Sequence, residues 1–184
     1  LILHGKEYLV ERLGDYEYMI SADSFFQTNT KQAEKLYDII LEESNLTGKE
    51  IVYDLFCGTG SIALHVSKYA KMVYGFELII PAVQNAIQNA IRNKIKNAWF
   101  FPGDLQNLFR ENLEVKTLEF PDVIIVDPPR SGLHVKTIDD IVEKNSKRII
   151  YVSCNPATQA RDVRLLCENG YKLIRLRPID MFPH

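Results

Sequence analysis

Ile51-Val52-Tyr53-Asp54-Leu55-Phe56-Cys57-Gly58-Thr59-Gly60-Ser61 decides the reading of this chain. Ile51–Leu55 is too apolar to keep one face in water, which suits a strand covered on both sides, as strands of parallel sheets are. Glycines at 58 and 60 let backbone pass close to a ligand, while Ser61 opens a helical stretch to Lys68. In an open parallel sheet, ligands bind beyond the carboxyl ends of the strands, so the residues just after each strand are the ones to watch.

Outward from this turn the pattern repeats. Val73–Glu77, Ala98–Pro102, Val123–Asp127, Arg148–Ser153 and Tyr171–Leu176 read as further short strands. Between them, Pro81–Arg92, Leu105–Asn112, Thr137–Lys144 and Ala157–Glu168 read as crossover helices. The class is α/β, a mostly parallel, doubly wound, Rossmann-like sheet. Ahead of it, Tyr8–Leu13 and Tyr16–Ile20 flank Gly14-Asp15, a hairpin with glycine first in its two-residue turn. Asn29 can cap a helix with Gln32 three positions on, and Ala33, Leu36, Tyr37, Ile40 and Leu41 form its apolar face, ending near Thr47-Gly48. We expect residues 1–47 to be a hairpin and helix packed on a domain spanning 48–184.

Composition bounds the class. The 184 residues fit one domain, and 46% hydrophobic with 25% charged residues matches globular averages. No apolar run is long enough to span a bilayer, and no basic-then-apolar leader opens the chain, so the expectation is a soluble, cytoplasmic, monomeric protein. Cys57, Cys154 and Cys167 show no close pairing, and His4, His65 and His134 lack ligand spacing; neither a disulfide framework nor a metal site is expected. Charge is uneven, −5 over residues 1–126 and +3 over 127–184, which is no polybasic nucleic-acid binder. The start at Leu1 and the end at Met181-Phe182-Pro183-His184 read as a fragment of a longer protein.

The strand ends carry the chemistry. Glu77 lies where an acid commonly grips ribose hydroxyls, and Asp104, in Gly103-Asp104-Leu105, can accept from an exocyclic adenine amine. Ala63 satisfies the third small position of a dinucleotide fingerprint, so the glycine spacing alone leaves a nicotinamide cofactor open. Acids at 54, 77 and 104 suit a nucleoside attached to a cation and would repel a pyrophosphate. Asp127-Pro128-Pro129-Arg130-Ser131-Gly132 fixes a rigid lip that loses two backbone donors, so carbonyls and the Asp127 carboxylate can face a flat ring. Cys154, in Ser153-Cys154-Asn155-Pro156, precedes a helix, a setting that favours a nucleophilic thiolate. Cys57, inside the glycine turn, and Cys167, beside Leu166, read instead as small buried hydrophobes.

Phe25-Phe26-Gln27-Thr28-Asn29, Asp54 to Gly60, Asp127 to Gly132, and Ser153 to Thr158 continuing through Ala160-Arg161-Asp162 occur in this order. From about Tyr18 to His184 the chain resembles the catalytic domain of the S-adenosylmethionine-dependent RNA uracil-5 methyltransferases. The resemblance implies that Gln27, Phe56, Ser61, Glu77, Asp104 and Asp127 bind S-adenosyl-L-methionine, and the reading of the first strand end and its turn adds Asp54, Gly58 and Gly60. Ser61 stands where many members have Asn. It makes Cys154 the nucleophile, with Asp127 next to the target base, and it makes the partner RNA rather than DNA or a membrane. The wording from Phe25 to Asn29 is closer to the ribosomal branch, implying large-subunit (23S) rRNA ahead of tRNA. In the family, a histidine and then a glutamate that serves as base follow Met-Phe-Pro-His, and the tail supplies a last, antiparallel strand between strands five and six; we expect both to be missing here. The RNA-binding barrel and iron–sulfur cysteines of many members are also absent from this sequence. Two rivals stay open: an adenine or guanine amino-methyltransferase, which would leave Cys154 idle, and a cofactor-binding module inactive in isolation.

Overall fold

A computed structural model describes residues 8–21, 27 and 29–182. Of the residues discussed above, Leu1, His4, Phe25, Phe26, Thr28, Pro183 and His184 lie outside the described residues. In chain order the elements are β1 (Tyr8–Leu13), β2 (Tyr16–Ser21), α1 (Thr30–Ser44), β3 (Ile51–Leu55), α2 (Ser61–Ser67), β4 (Met72–Glu77) and α3 (Ile80–Arg92). There follow β5 (Ala98–Pro102), α4 (Leu108–Glu111), α5 (Leu113–Lys116), β6 (Val123–Val126), α6 (Val135–Lys144), β7 (Arg148–Tyr151) and α7 (Pro156–Glu168).

Five strands form one parallel sheet in the order β5-β4-β3-β6-β7. Alternation along them divides the interior in two. Val52, Val73, Phe100, Val123 and Ile125 point to one face, where α1, α2 and α3 supply Leu36, Ile40, Leu64 and Val83. Tyr53, Leu55, Phe76, Ile124 and Val126 point to the other, against Leu108, Phe109, Ile138, Ile141 and Leu166. A strand with apolar side chains on both faces is stable only between two helical layers, so burial of all five β3 residues accounts for the doubly wound class. The antiparallel hairpin β1-β2 joins the first cluster through Leu13 and Tyr18, both fully buried.

From β3 the chain steps outward to β4 and β5, then returns to place β6 on the opposite side of β3. This reversal opens a crevice beyond the carboxyl ends of β3 and β6. Leu55 pairs with Val126, and the Asp127 amide donates to the Leu55 carbonyl at 3.3 Å, so the glycine turn and the proline lip start side by side.

Four expectations are corrected. α1 ends at Ser44 because Asn45 turns left-handed, three residues before Thr47-Gly48. The helix expected over Leu105–Asn112 is two short helices: Asp104 first forms a turn, its carboxylate accepting from Gln106 N at 3.0 Å, and Asn112, in extended backbone, caps α5 by accepting from Val115 N. The crossover helices before β7 and after it start earlier than read, at Val135 and Pro156. Tyr171–Leu176 is not a strand. A strand needs a hydrogen-bonded neighbour, and this segment lies in no ladder; Arg175 and Arg177 bind Glu43 and Glu42 of α1, while Leu173, Ile174 and Leu176 are exposed.

Candidate functional site

Phe56 follows β3 with φ +64, a conformation that costs a non-glycine residue about 1–2 kcal/mol and redirects the chain out of the sheet. Gly58 and Gly60 continue the turn at φ +53 and +80. Nothing lies within 4 Å of where a Gly58 side chain would begin, whereas at Gly60 it would press on Ala86 and Phe100 at 3.0 Å. One glycine thus faces open space and the other lets α3 and β5 close in behind the turn. Glu77, at the end of β4, holds the turn from the side. Its Oε2 accepts from Gly58 N at 3.0 Å and its Oε1 from Ile79 N at 2.9 Å.

A small crevice of about 50 Å³ opens here, lined by Gln27, Tyr37, Phe56, Gly58, Ser61 and Asp127, among others. Asp54, at the end of β3, has no exposed surface, and its carboxylate finds no partner beyond a weak approach of the Ala63 amide. Burial pushes the Asp54 carboxyl well above its ordinary range, and the carboxylates of Asp127 and Glu77 push the same way. Burial raises Asp127 to about 6. Two carboxyl groups with elevated proton affinity at a crevice make surroundings that favour a cation over an anion. Asp104 stands apart, exposed beyond β5, where with Gly103, Asn107 and Leu108 it borders a second, shallower depression.

Across the switch point, β6 and β7 run in register, and Val152 N donates to Val126 O at 2.8 Å, so the lip after Asp127 and the Cys154 loop leave the sheet together. Cys154 is exposed at the head of α7. Asn155 caps that helix by accepting from Ala157 N at 3.1 Å and donates its amide to Arg130 O at 2.9 Å. Cys57 is buried, as read from the sequence. Cys167 is exposed, contrary to expectation, because one helical step past buried Leu166 turns it about 100° outward.

Of the expected site residues, Gln27, Phe56, Gly58, Ser61 and Asp127 line one crevice, with Asp54 and Glu77 directly behind the turn. Asp104 and Cys154 do not line it; they follow β5 and β7, the two edge strands of the sheet. Several supporting residues escaped the sequence reading. Tyr37 shares a 2.7 Å hydrogen bond with Ser61 Oγ, and the Tyr18 hydroxyl donates to Ser61 O at 3.3 Å. Asn89, fully buried, donates to Thr59 O at 3.1 Å and clasps the backbone of Met19, tying the glycine turn to β2. A polar residue on the apolar face made by Val83, Ala86 and Ala90 was the available signal.

A family model described as tRNA (Uracil-5-)-methyltransferase matches residues 2–184. An uncharacterized RNA methyltransferase of Porphyromonas gingivalis is 45% identical over 185 residues, which cover 100% of this chain and 40% of that protein. Another, from Chlorobaculum tepidum, is 43% identical over 182 residues, covering 99% of this chain and 38% of its own length. The chain spans about two fifths of the length of the curated relatives it matches. Among solved structures, the Pyrococcus abyssi tRNA (uracil-54, C5)-methyltransferase in complex with S-adenosyl-L-homocysteine is 34% identical with a TM-score of 0.82, covering 98% of this chain and 42% of that one.

Proposed function

The chain belongs to the tRNA (uracil-5-)-methyltransferase family, and from that premise we propose that it is the catalytic unit of an RNA uracil-5 methyltransferase using S-adenosyl-L-methionine. The observation that carries the reading is the pairing of an exposed thiol, Cys154, with the proline lip that follows Asp127, beside a crevice underlain by carboxyl groups. Asp54, buried with no partner beyond the Ala63 amide, fits a cationic donor, and the open approach at Gly58 leaves room for its amino-acid part. Gln27, Phe56, Gly58, Gly60 and Ser61 would hold the donor, with Glu77 on its ribose, Asp104 on its adenine, and Asp54 and Asp127 near its positive end. When bound, that donor supplies an electrophilic methyl group.

Carbon 5 of uracil is too electron-poor to take a methyl group unaided. The Cys154 thiolate adds to carbon 6, forming a carbon–sulfur bond and moving an electron pair into the ring as an enolate, whose carbon 5 is then nucleophilic. After methylation, loss of the carbon 5 proton to a base returns the electron pair, breaks the carbon–sulfur bond and regenerates the thiolate. Asp127 lines the donor crevice, and the two prolines after it stiffen the lip whose carbonyl groups would face the target ring. The resemblance assigns the base to a glutamate beyond His184.

The substrate is proposed as rRNA ahead of tRNA, on the residues at 25–29; the solved tRNA (uracil-54, C5)-methyltransferase of Pyrococcus abyssi points to the other RNA, so both belong in the assay. Full-length protein is incubated with labelled donor and transcripts of each RNA, and the digested nucleosides are analysed. We expect 5-methyluridine from the wild type and none from Cys154→Ala. With 5-fluorouridine transcripts, carbon 5 has no proton to lose, so the wild type should remain bonded to RNA on a denaturing gel while Cys154→Ala should not. Methylated adenine or guanine, unaffected by Cys154→Ala, would establish the amino-methyltransferase instead.

A further inference from the structure

Asp162 has no exposed surface, yet the reaction proposed above gives it no part. It lies two turns along α7 from the cap, and it is fully partnered. Its Oδ2 accepts from Leu133 N at 2.7 Å and from the Tyr151 hydroxyl at 2.6 Å, and its Oδ1 from Arg161 Nε at 2.8 Å. Those three donors belong to three elements: the lip beyond β6, the end of β7 and α7 itself. The Arg161 guanidinium continues the network, its Nη2 donating to Ser131 O at 3.0 Å and to Leu133 O at 3.1 Å. Thr158 Oγ1 adds a hydrogen bond to Arg130 O at 3.2 Å. The lip is therefore gripped through its backbone at 130, 131 and 133 by side chains from the first two turns of α7.

Gly132, at φ +77, shows how closely the parts fit. A side chain there would begin 2.5 Å from Asp162 Oδ2, 2.6 Å from Arg161 Nη2 and 3.0 Å from Thr158 Cβ. A lip that only had to end a strand would not need a buried carboxylate; burying one is costly unless every oxygen is satisfied, as here.

Resting on the uracil-5 reading, we propose that Asp162 is a positioning residue, which through Arg161 and Leu133 fixes the Asp127–Leu133 lip relative to the Cys154 loop and so sets the spacing between the target ring and the thiol. A nucleophile held in attacking geometry is sensitive to displacements of an ångström. None of the residues lining the donor crevice takes part in the clamp's hydrogen bonds, so the clamp should govern addition to the ring without governing donor affinity.

The test compares wild type, Asp162→Asn and Gly132→Ala in the full-length protein. Asparagine can still accept from Leu133 N and meet the Tyr151 hydroxyl, but it turns an amide toward Arg161 and frees the guanidinium. Alanine at 132 pushes on the same clamp from the lip side. Three quantities are read: thermal midpoint, affinity for S-adenosyl-L-homocysteine by calorimetry, and the rate of covalent adduct formation with 5-fluorouridine transcripts of rRNA and tRNA. The expected result for Asp162→Asn is adduct formation slowed about ten- to a hundredfold, with ligand affinity within about twofold and no loss of the cooperative thermal transition. Gly132→Ala should show the same split. Wild-type adduct rates in both variants would overturn the positioning role. So would a parallel fall in midpoint, affinity and adduct rate, which marks a merely structural network. A wild type that forms no adduct with either RNA would overturn the uracil-5 reading, and the positioning role with it.

Discussion

Asp127 carries its carboxyl at about 6 because burial penalises the charged form, against 3.8 for an unperturbed aspartate. Between those values the folded protein holds a proton that the unfolded chain has lost, so folding is progressively opposed as pH rises from about 4 to about 6. The full shift corresponds to at most about 3 kcal/mol. Asp54 is shifted in the same direction by burial first and by Asp127 second. Glu50, held down to about 2 by hydrogen bonds led by the Thr47 amide, loses its contribution as pH falls below about 4.5, so it meets this window only at its acidic edge and is common to wild type and variant. Asp127→Asn should therefore gain stability relative to wild type between pH 4 and 7, measured by urea unfolding at each pH; a difference that stays flat removes the buried-carboxyl account. A cation in the crevice favours the ionised forms, so donor affinity should rise over the same interval. Glu77→Ala should cost donor affinity about 1.5–3 kcal/mol by calorimetry, losing a charged contact and releasing Gly58 N and Ile79 N together.

At the scale of elements, the five sheet strands were legible because each is a short apolar run bounded by turn residues, and β5 coincides with its sequence reading at Ala98–Pro102. The glycine turn and the helix after Cys154 were legible for a similar reason, since their residue types have few other uses, although the Asn155 cap was not read. What stayed hidden depends on partners distant in sequence. Nothing in Tyr171–Leu176 distinguishes a strand from an extended segment pinned by ion pairs to α1. Asn112 breaks a helical pattern through one side-chain cap. Asn89 is the strongest such case, joining α3, β2 and the glycine turn across gaps of 30 and 70 residues. Asn89→Ala would leave Met19 N, Met19 O and Thr59 O without that partner in the interior. We expect about 2–4 kcal/mol of lost stability by chemical denaturation, with weaker donor binding as the turn loosens. A loss below about 0.5 kcal/mol, the scale of ordinary surface changes, would mean that the buried links are replaceable.

Across the whole molecule, charge decides how well this portion can hold RNA alone. Residues 127–184 carry ten Lys and Arg, but several are already engaged: Arg161 with Asp162, Arg175 and Arg177 with α1, Lys147 with Asp122 and Arg164 with Glu168. Internal pairing removes those cations from phosphate neutralisation, and the +3 balance overstates what remains for a polyanion. Each phosphate neutralised on a single strand adds about 0.7 to the slope of log affinity against log salt. Recognition of a single-stranded loop also needs surfaces on which bases stack. The relatives are about two and a half times as long as this chain, which leaves room for such surfaces in those proteins outside the part it matches. Residues 1–184 alone should bind a uridine-containing loop weakly, with a shallow salt slope corresponding to about two or three phosphates. The full-length protein should bind the same loop more tightly and with a steeper slope. Fluorescence anisotropy titrations of both proteins across a salt series measure the two slopes directly. Equal affinity and equal slope at physiological salt would place the RNA-binding surface within this portion, against the charge argument.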